Sequence, residues 1–504
     1  MNRAAAGRSW FGAVFGLLLK LVAIFAMIAL PLCGVWVASS LAALRRGPVW
    51  LTLLAGLLLF PIAPAIWELH GAWRRSRRQN PTPRVLSTTD RLVLRTLALN
   101  MSFLAALLAT RPSAAFMALS ARGDWMLDGH HAPTAQAARA ALFSVAGRLE
   151  WLWSAAHDNP FRKPGVPEPE LQPSEAVRSI PTAAPTATAT ATPSSSDTSA
   201  PRPPESRETP SAVPAPSWPA AEKLDLVVAG MPKSAEGSIQ TVAAYISERV
   251  PAPFARLKAV HDWVADRIAY DAESYLAGRY PPQDARTVFS TRLSVCAGYA
   301  NLFEALARAA GLDVRYVAGD ARTRGNDLSG QGHAWNAARI DGKWYLLDAT
   351  WDSGFVSGSH FEKRYSTAYF LTPPSVFNLD HLPDNARWQL LETPLTRGEF
   401  LRQPALSPLF FASGLELLSP DRSQVDVRGS LEIGLKNPQS VLLLATYEAR
   451  DGLGEPHDCD IDNGDSPRIT CKFLRPGSYD VRLYRNRQIT DPFDFIGQLQ
   501  ANAK

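Results

Sequence analysis

Residues 294–311, "SVCAGYANLFEALARAAG", decide how the rest of the chain is read. A polar stretch from Ser290 to Ser294 gives way at Cys296 to apolar residues at helical steps, with Leu302, Phe303, Leu306 and Ala310 recurring three and four apart. Gly311 supplies the stop that a helix C-terminus favours. The run therefore predicts a helix that begins at Cys296. A lone cysteine with apolar neighbours is most often a buried core thiol. At a helix start it has a second use, because the macrodipole and the free N–H groups there favour a thiolate and can hold an oxyanion.

Downstream, "VRYVAGD" (314–320), "HAWNAARI" (333–340) and "KWYLLDATW" (343–351) read as strands, and Asp341-Gly342 between the last two is a hairpin turn signal. His333 stands eight residues before that turn and Asp348 six after it, so the two come close to facing each other on antiparallel arms. A thiol enzyme needs a thiolate, a histidine to take and return its proton, and a group that orients the histidine. Taken singly, His333 reads as a structural histidine and Asp348 as a turn or cap residue. In this order and across one hairpin, Cys296, His333 and Asp348 are the candidate catalytic residues: nucleophile, base and orienter. Helical spacing over Gly237–Val250 and Ala255–Ile268 precedes them, which makes this a helix-first, sheet-later α+β domain.

These blocks also resemble a known family. "SVCAGYANLFEALARAAGLDVRYVAGD", "GHAWNAARIDGKWYLLDATWDSG", the upstream "HDWVADRIAYD" and the trailing "YFLTPP…HLPDNARWQLL" are similar to the transglutaminase-like superfamily, in the branch that holds kyphoscoliosis peptidase and related cytokinesis proteins. The resemblance covers about Ile239–Leu391. It implies a papain-like α+β fold, Cys296 as nucleophile, His333 as base and Asp348 as orienter, with a protein or peptide as substrate. Ser294 departs from the family, which usually has Gly before Val-Cys. No Gln stands just before Cys296 to serve as a second oxyanion donor. His261 and His381 fall in family blocks but read as structural, and Tyr299, Trp335 and Trp351 read as site walls.

The remaining sequence sets the surroundings. Of 504 residues, 46% are apolar and 20% charged, averages that conceal three unlike regions. Much of the formal net charge of +5 lies near Arg74, Arg75, Arg77 and Arg78, beside apolar runs, with no basic-aromatic stripe of the kind nucleic acid needs. Residues 1–115 read as a membrane region with spans at 21–44, 49–67 and 92–110, each near the roughly 20 residues a bilayer requires. The third is weakened by Arg95 and Asn100, and a signal peptide competes for the first. Lys/Arg bias places the N-terminus and the Arg-rich loop in the cytoplasm, so three spans put everything after Thr110 outside. An exported site would suit an envelope protein or peptide substrate. If the third run only lies on the surface, the bulk of the chain is cytoplasmic.

A helical juxtamembrane segment is expected at 116–158. From 159 to 221 the chain is Pro, Ala, Ser and Thr, too poor in apolar residues to offset its ordering entropy, and is expected to be a disordered tether. The transglutaminase-like domain is then expected at 222–400. Short strands with turn signals near every ten residues predict a β-sandwich at 401–504, a surface left for a protein partner. No C-x-x-C pair or calcium loop appears, so neither a metal nor another cofactor is expected. Spacing leaves a Cys459–Cys471 disulfide open. The expected activity is that of a membrane-anchored hydrolase or crosslinking acyltransferase; the alternative is a non-catalytic scaffold of the same shape.

Overall fold

The structure, a computed structural model, describes residues 25–45, 49–77, 86–128, 130, 132–156, 159–163, 217–322, 330–452, 454–464, 466–486 and 493–504. Most of the Pro/Ala/Ser/Thr-rich tether (164–216) and the basic residues ahead of the first span lie outside the described residues. The chain divides into two compact units, 1–160 with 322–331 and 395–504, and 161–321 with 332–394.

Among the described residues of the first unit, three helices are long and apolar enough to cross a membrane by length and composition: Phe25–Leu44, Trp50–Ser76 and Thr88–Thr110. The second leaves helical backbone at Phe60 (φ −160°, ψ 123°), immediately before Pro61, whose ring and missing N–H break the ladder. The third is started by a reciprocal cap, in which the Asp90 amide donates to Ser87 Oγ and the Ser87 amide to the Asp90 carboxylate. Its two awkward polar residues are turned onto neighbouring helices. Arg95 pairs with Glu68 at 2.5 Å, and Asn100, fully buried, donates to the carbonyls of Thr96 (2.9 Å) and Leu59 (3.4 Å). Polar groups on apolar helices take this inward placement because apolar surroundings offer them no partner.

The C-terminal part of this unit is built from two sheets. One runs Ala405–Leu406, Asp494–Ala503, Gly477–Asn486, Leu442–Ala449, His457–Asp458, with Gln424–Val427 added parallel to Asp494–Ala503. The other runs Glu416–Ser419, Ser430–Lys436, Arg468–Lys472, Asp460–Asp462. Alternate residues Leu431, Ile433 and Leu435 turn inward, as a half-buried strand requires. Tyr447 of the first sheet donates to the Lys472 carbonyl of the second, and Cys459 and Cys471 are disulfide-bonded. Buried Asp124 accepts from Arg139 (2.8 Å) and from both terminal nitrogens of Arg422 (3.0 and 3.2 Å), which ties the helical segment after the third apolar helix to these strands.

The second unit is helix first and sheet later. Ile239–Arg249, capped by Ser238, and Pro253–Arg267, opened by Pro at its first position, pack with the Cys296–Ala309 helix around Val242, Ile246, Leu257, Val260, Trp263, Leu302, Phe303 and Leu306. Each such side chain, fully withdrawn from water, stabilises the unit by about 1.5–3 kcal/mol before entropy is counted. A five-stranded sheet follows in the order Phe370–Thr372, Lys343–Leu347, Gln331–Ile340, Asp313–Ala321, His381–Pro383. The expected hairpin is present, with Ile340 paired to Lys343 and both turn residues at positive φ (Asp341 51°, Gly342 77°). The last strand of that hairpin is shorter than the expected 343–351. It ends at Leu347, because Asp348 Oδ1 accepts the amides of Thr350 (2.8 Å) and Trp351 (3.3 Å) and bends the chain away. Both ends of the segment expected to be tether belong to this unit: Phe161 is buried, and Trp218 Nε1 donates to the Ala368 carbonyl.

Candidate active site

Cys296 is the first residue of its helix and is 1% exposed. Its own amide has no partner within the helix, since first-turn N–H groups lack one. The approach to it is a short strand, Leu293–Ser294, paired in parallel with Ala269–Tyr270. Gln283 pins this approach from the side: its Oε1 accepts from the Val295 amide and the Ser294 hydroxyl, both at 3.1 Å, while its Nε2 donates to Pro281. No Gln directly precedes Cys296, but one is folded alongside it, as a clamp on the loop. Ser294 keeps an ordinary backbone and spends its hydroxyl on Gln283 and the Val295 carbonyl, so the position has no need of Gly. Gly298 is different. A Cβ there would sit 2.1 Å from Ser294 Oγ and 2.6 Å from Gln283 Oε1, so close packing beside the cysteine demands glycine.

His333, on the strand Gln331–Ile340, presents Nε2 to Asp348 Oδ2 at 2.7 Å. With Nε2 so engaged, Nδ1 is the nitrogen left to serve the Cys296 sulfur. Burial alone would lower the imidazole's pKa. The Asp348 carboxylate and the Cys296 sulfur outweigh it and raise it to about 9. Burial likewise pushes Asp348 up, but the imidazoles of His333 and His381 hold its carboxyl well below the usual range.

His381, which the sequence analysis reads as structural, is part of this array. The pairing of Ala321 with His381 in the sheet brings its Nε2 to 3.3 Å from Asp348 Oδ2. Its Nδ1 meets Asp380 Oδ1 at 2.6 Å, and Tyr369 donates its hydroxyl to Asp380 Oδ2 at 2.6 Å. Trp335, Trp351 and Phe377 enclose it at ring separations of 5.0, 4.5 and 4.2 Å. Trp351 also stands 5.2 Å from the His333 ring, the wall position expected of it. Tyr299 instead points its hydroxyl to the Ile268 carbonyl. Ligand-type atoms of His333, Asp348 and His381 lie within 4.8 Å of one another. Direct hydrogen bonds account for that closeness, since a 2.7 Å N···O separation holds a proton rather than an ion.

His261 is a separate matter. It is fully buried between Asp262 (3.1 Å) and Asp352 (3.0 Å), and Lys258 and Tyr365 also engage Asp262. Burial would lower its pKa, but the two carboxylates raise it to about 9. Asp352 carries the cost of its own burial and is pushed up, although His261 and the Tyr369 amide both donate to it. Because the folded value for His261 lies above the usual 6.5, its stabilisation is complete below about pH 6.5 and is lost as pH rises through 9. The amount is on the order of 3 kcal/mol. Urea unfolding should therefore weaken between pH 6.5 and 9, and His261→Gln should flatten that slope. Equal slopes in the two proteins would contradict this role.

Residues 240–349 match the family model of the Transglutaminase-like superfamily. The chain carries a transglutaminase-like domain. Kyphoscoliosis peptidase from Homo sapiens is 30% identical over 234 residues, 44% of this chain and 35% of that protein, and its counterpart from Mus musculus is 30% identical over 231 residues with the same coverage. The match thus spans about a third of either relative. A solved TGase is 21% identical with a TM-score of 0.20, covering 27% of this chain and 35% of that one, too low a score to establish a shared fold. The family match ends one residue past Asp348, so within the transglutaminase-like domain Cys296, His333 and Asp348 all fall inside it, while His381 lies beyond.

Proposed function

We propose that this protein is a membrane-anchored thiol enzyme acting on carboxamide or peptide bonds of protein substrates. The observation that carries the proposal is a helix-start Cys296 together with His333, whose pKa the Cys296 sulfur helps to raise and whose Nε2 meets Asp348 at 2.7 Å. In the reaction, the Cys296 sulfur adds to the carbonyl carbon and the resulting oxyanion is met by N–H groups at the helix start. His333 passes its proton to the leaving nitrogen, the C–N bond breaks, and a thioester remains on Cys296. His333, now neutral, takes a proton from water or from an incoming amine. Attack on the thioester then releases an acid or an amide-crosslinked product. The peptidase named among the relatives supports the hydrolytic branch.

p-Nitrophenyl acetate tests the assignment without knowledge of the natural substrate. Full-length protein carrying Phe161→Ala, which removes the ring packed in the Cys296 cluster, should release a burst of one nitrophenolate per chain and gain one acetyl group, and adding Cys296→Ala should give neither. A burst that survives Cys296→Ala would sink the proposal. The near-complete burial of Cys296 favours the non-catalytic scaffold as a second reading, and a burst absent even in the Phe161→Ala protein would support it.

The three apolar helices are proposed to span the membrane, with the transglutaminase-like domain on the extracytoplasmic side. The Lys/Arg bias supports this, as do the inward turn of Arg95 and Asn100 and the Cys459–Cys471 disulfide, a bond at home in oxidising compartments. A reporter active only in the cytoplasm, fused after Ser154, should be silent. Its activity there would reverse the assignment.

A further inference from the structure

The thiol of Cys296 is hidden by its own chain. Phe161 is 6% exposed and belongs to the same apolar cluster as Val295, Cys296, Ala297, Ala300 and Ala334, with Tyr270, Tyr275, Tyr280 and Tyr316 packed around them. Its ring lies 5.1 Å from that of Tyr280, and its carbonyl accepts the Tyr316 hydroxyl at 2.7 Å. The phenols of Tyr275, Tyr280 and Tyr316 are each pushed up by burial and, after it, by the Cys296 sulfur, which places this aromatic wall beside the thiol. The next two residues are held by charge. Arg162 Nε reaches Asp384 Oδ2 at 2.8 Å, while the Lys163 ammonium stands 3.9 Å over the Tyr316 ring and 3.6 Å from Glu304.

A segment that merely passed by would not find an aromatic pocket, a main-chain hydrogen bond and two acidic partners in consecutive register. Each contact is modest alone, since ion pairs near the surface are weak. The buried ring is the anchor, and the charges set order and direction. We propose that the groove beside Cys296 is a peptide subsite for an aromatic residue followed by two basic residues, and that Phe161–Lys163 occupies it and keeps the thiol closed until a substrate of that chemistry displaces it. This rests on Cys296 being the reacting thiol. Covalent attachment gives the internal segment an effective concentration on the order of millimolar, so an added peptide competes poorly while Phe161 is in place.

The test uses the full-length protein in detergent micelles, with a fluorescein-labelled peptide copying residues 160–164 (PFRKP) and a second peptide in which Ala replaces the Phe. Binding is read in the Cys296→Ala background, so it does not depend on catalysis and its failure is distinct from a missing acetyl burst. Phe161→Ala should bind PFRKP at least tenfold more tightly than the protein with Phe161 intact and should bind the Ala peptide at least tenfold more weakly than PFRKP. With Cys296 present, Phe161→Ala should be alkylated at that residue by iodoacetamide at least tenfold faster than the native chain. Tyr316→Phe, which removes only the hydroxyl that holds Phe161, should shift alkylation and binding in the same direction by a smaller factor and guards against misfolding of the first variant. Unchanged alkylation in both variants, or equal binding of the two peptides, overturns the proposal.

Discussion

His333→Ala should slow the acetyl burst about 10²- to 10⁴-fold, the range typical of a removed general acid–base group, while leaving Cys296 in place. The reason is positional as much as chemical. The imidazole is held by Asp348, and its pKa, raised to about 9 by the Asp348 carboxylate and the Cys296 sulfur, keeps it protonated through neutral pH. A protonated imidazole beside the sulfur favours its ionised, nucleophilic form and is also the acid that a departing amine requires. Without it, neither service has a substitute, because among the described residues His381 engages Asp348 and Asp380 rather than the thiol. Stopped-flow release of nitrophenolate checks this, and a less than threefold change would remove His333 from the mechanism.

Asp348→Ala should be the most damaging substitution for the fold of this unit, at about 3–5 kcal/mol, the usual cost of breaking a buried ion pair from one side. The carboxylate is fully buried and accepts from two imidazoles and two amides, those of Thr350 and Trp351. Its removal strands all four donors and also releases the turn that ends the strand at Leu347. Asp348→Asn keeps the size and one acceptor oxygen, so it should fold far better than the alanine variant and still lose the orientation of His333. Thermal unfolding followed by tryptophan fluorescence reads the difference, since Trp351 lies against both His333 and His381. An alanine variant as stable as the native chain would show that the array is not built around Asp348.

What the sequence revealed was local. Periodicity from Leu302 to Ala310 and the Gly311 stop marked the Cys296 helix, and Asp341-Gly342 marked the hairpin that joins His333 to Asp348. What it concealed was long-range. His381 reaches Asp348 only because its short strand pairs with the end of Asp313–Ala321, and spacing along the chain carries no trace of that pairing. Gln283 escaped notice for the same reason: a clamp from a neighbouring loop leaves no motif at the cysteine. Phe161 was lost to averaging, a single aromatic at the edge of a Pro- and Ala-rich stretch whose composition speaks of nothing to bury. In the third apolar helix, Arg95 and Asn100 counted against a span by composition, whereas their pairing inside the helical cluster removes the objection.

The central claim is that Cys296 reacts as a thiol activated by His333. The most direct measurement is the rate of iodoacetamide alkylation at Cys296 between pH 6 and 9, in Phe161→Ala protein so that access is not limiting, with and without His333→Ala. An imidazolium beside a thiol favours the thiolate that reacts with iodoacetamide. The account predicts that His333→Ala slows alkylation at least tenfold at every pH in this range. Equal rates in the two proteins would contradict it.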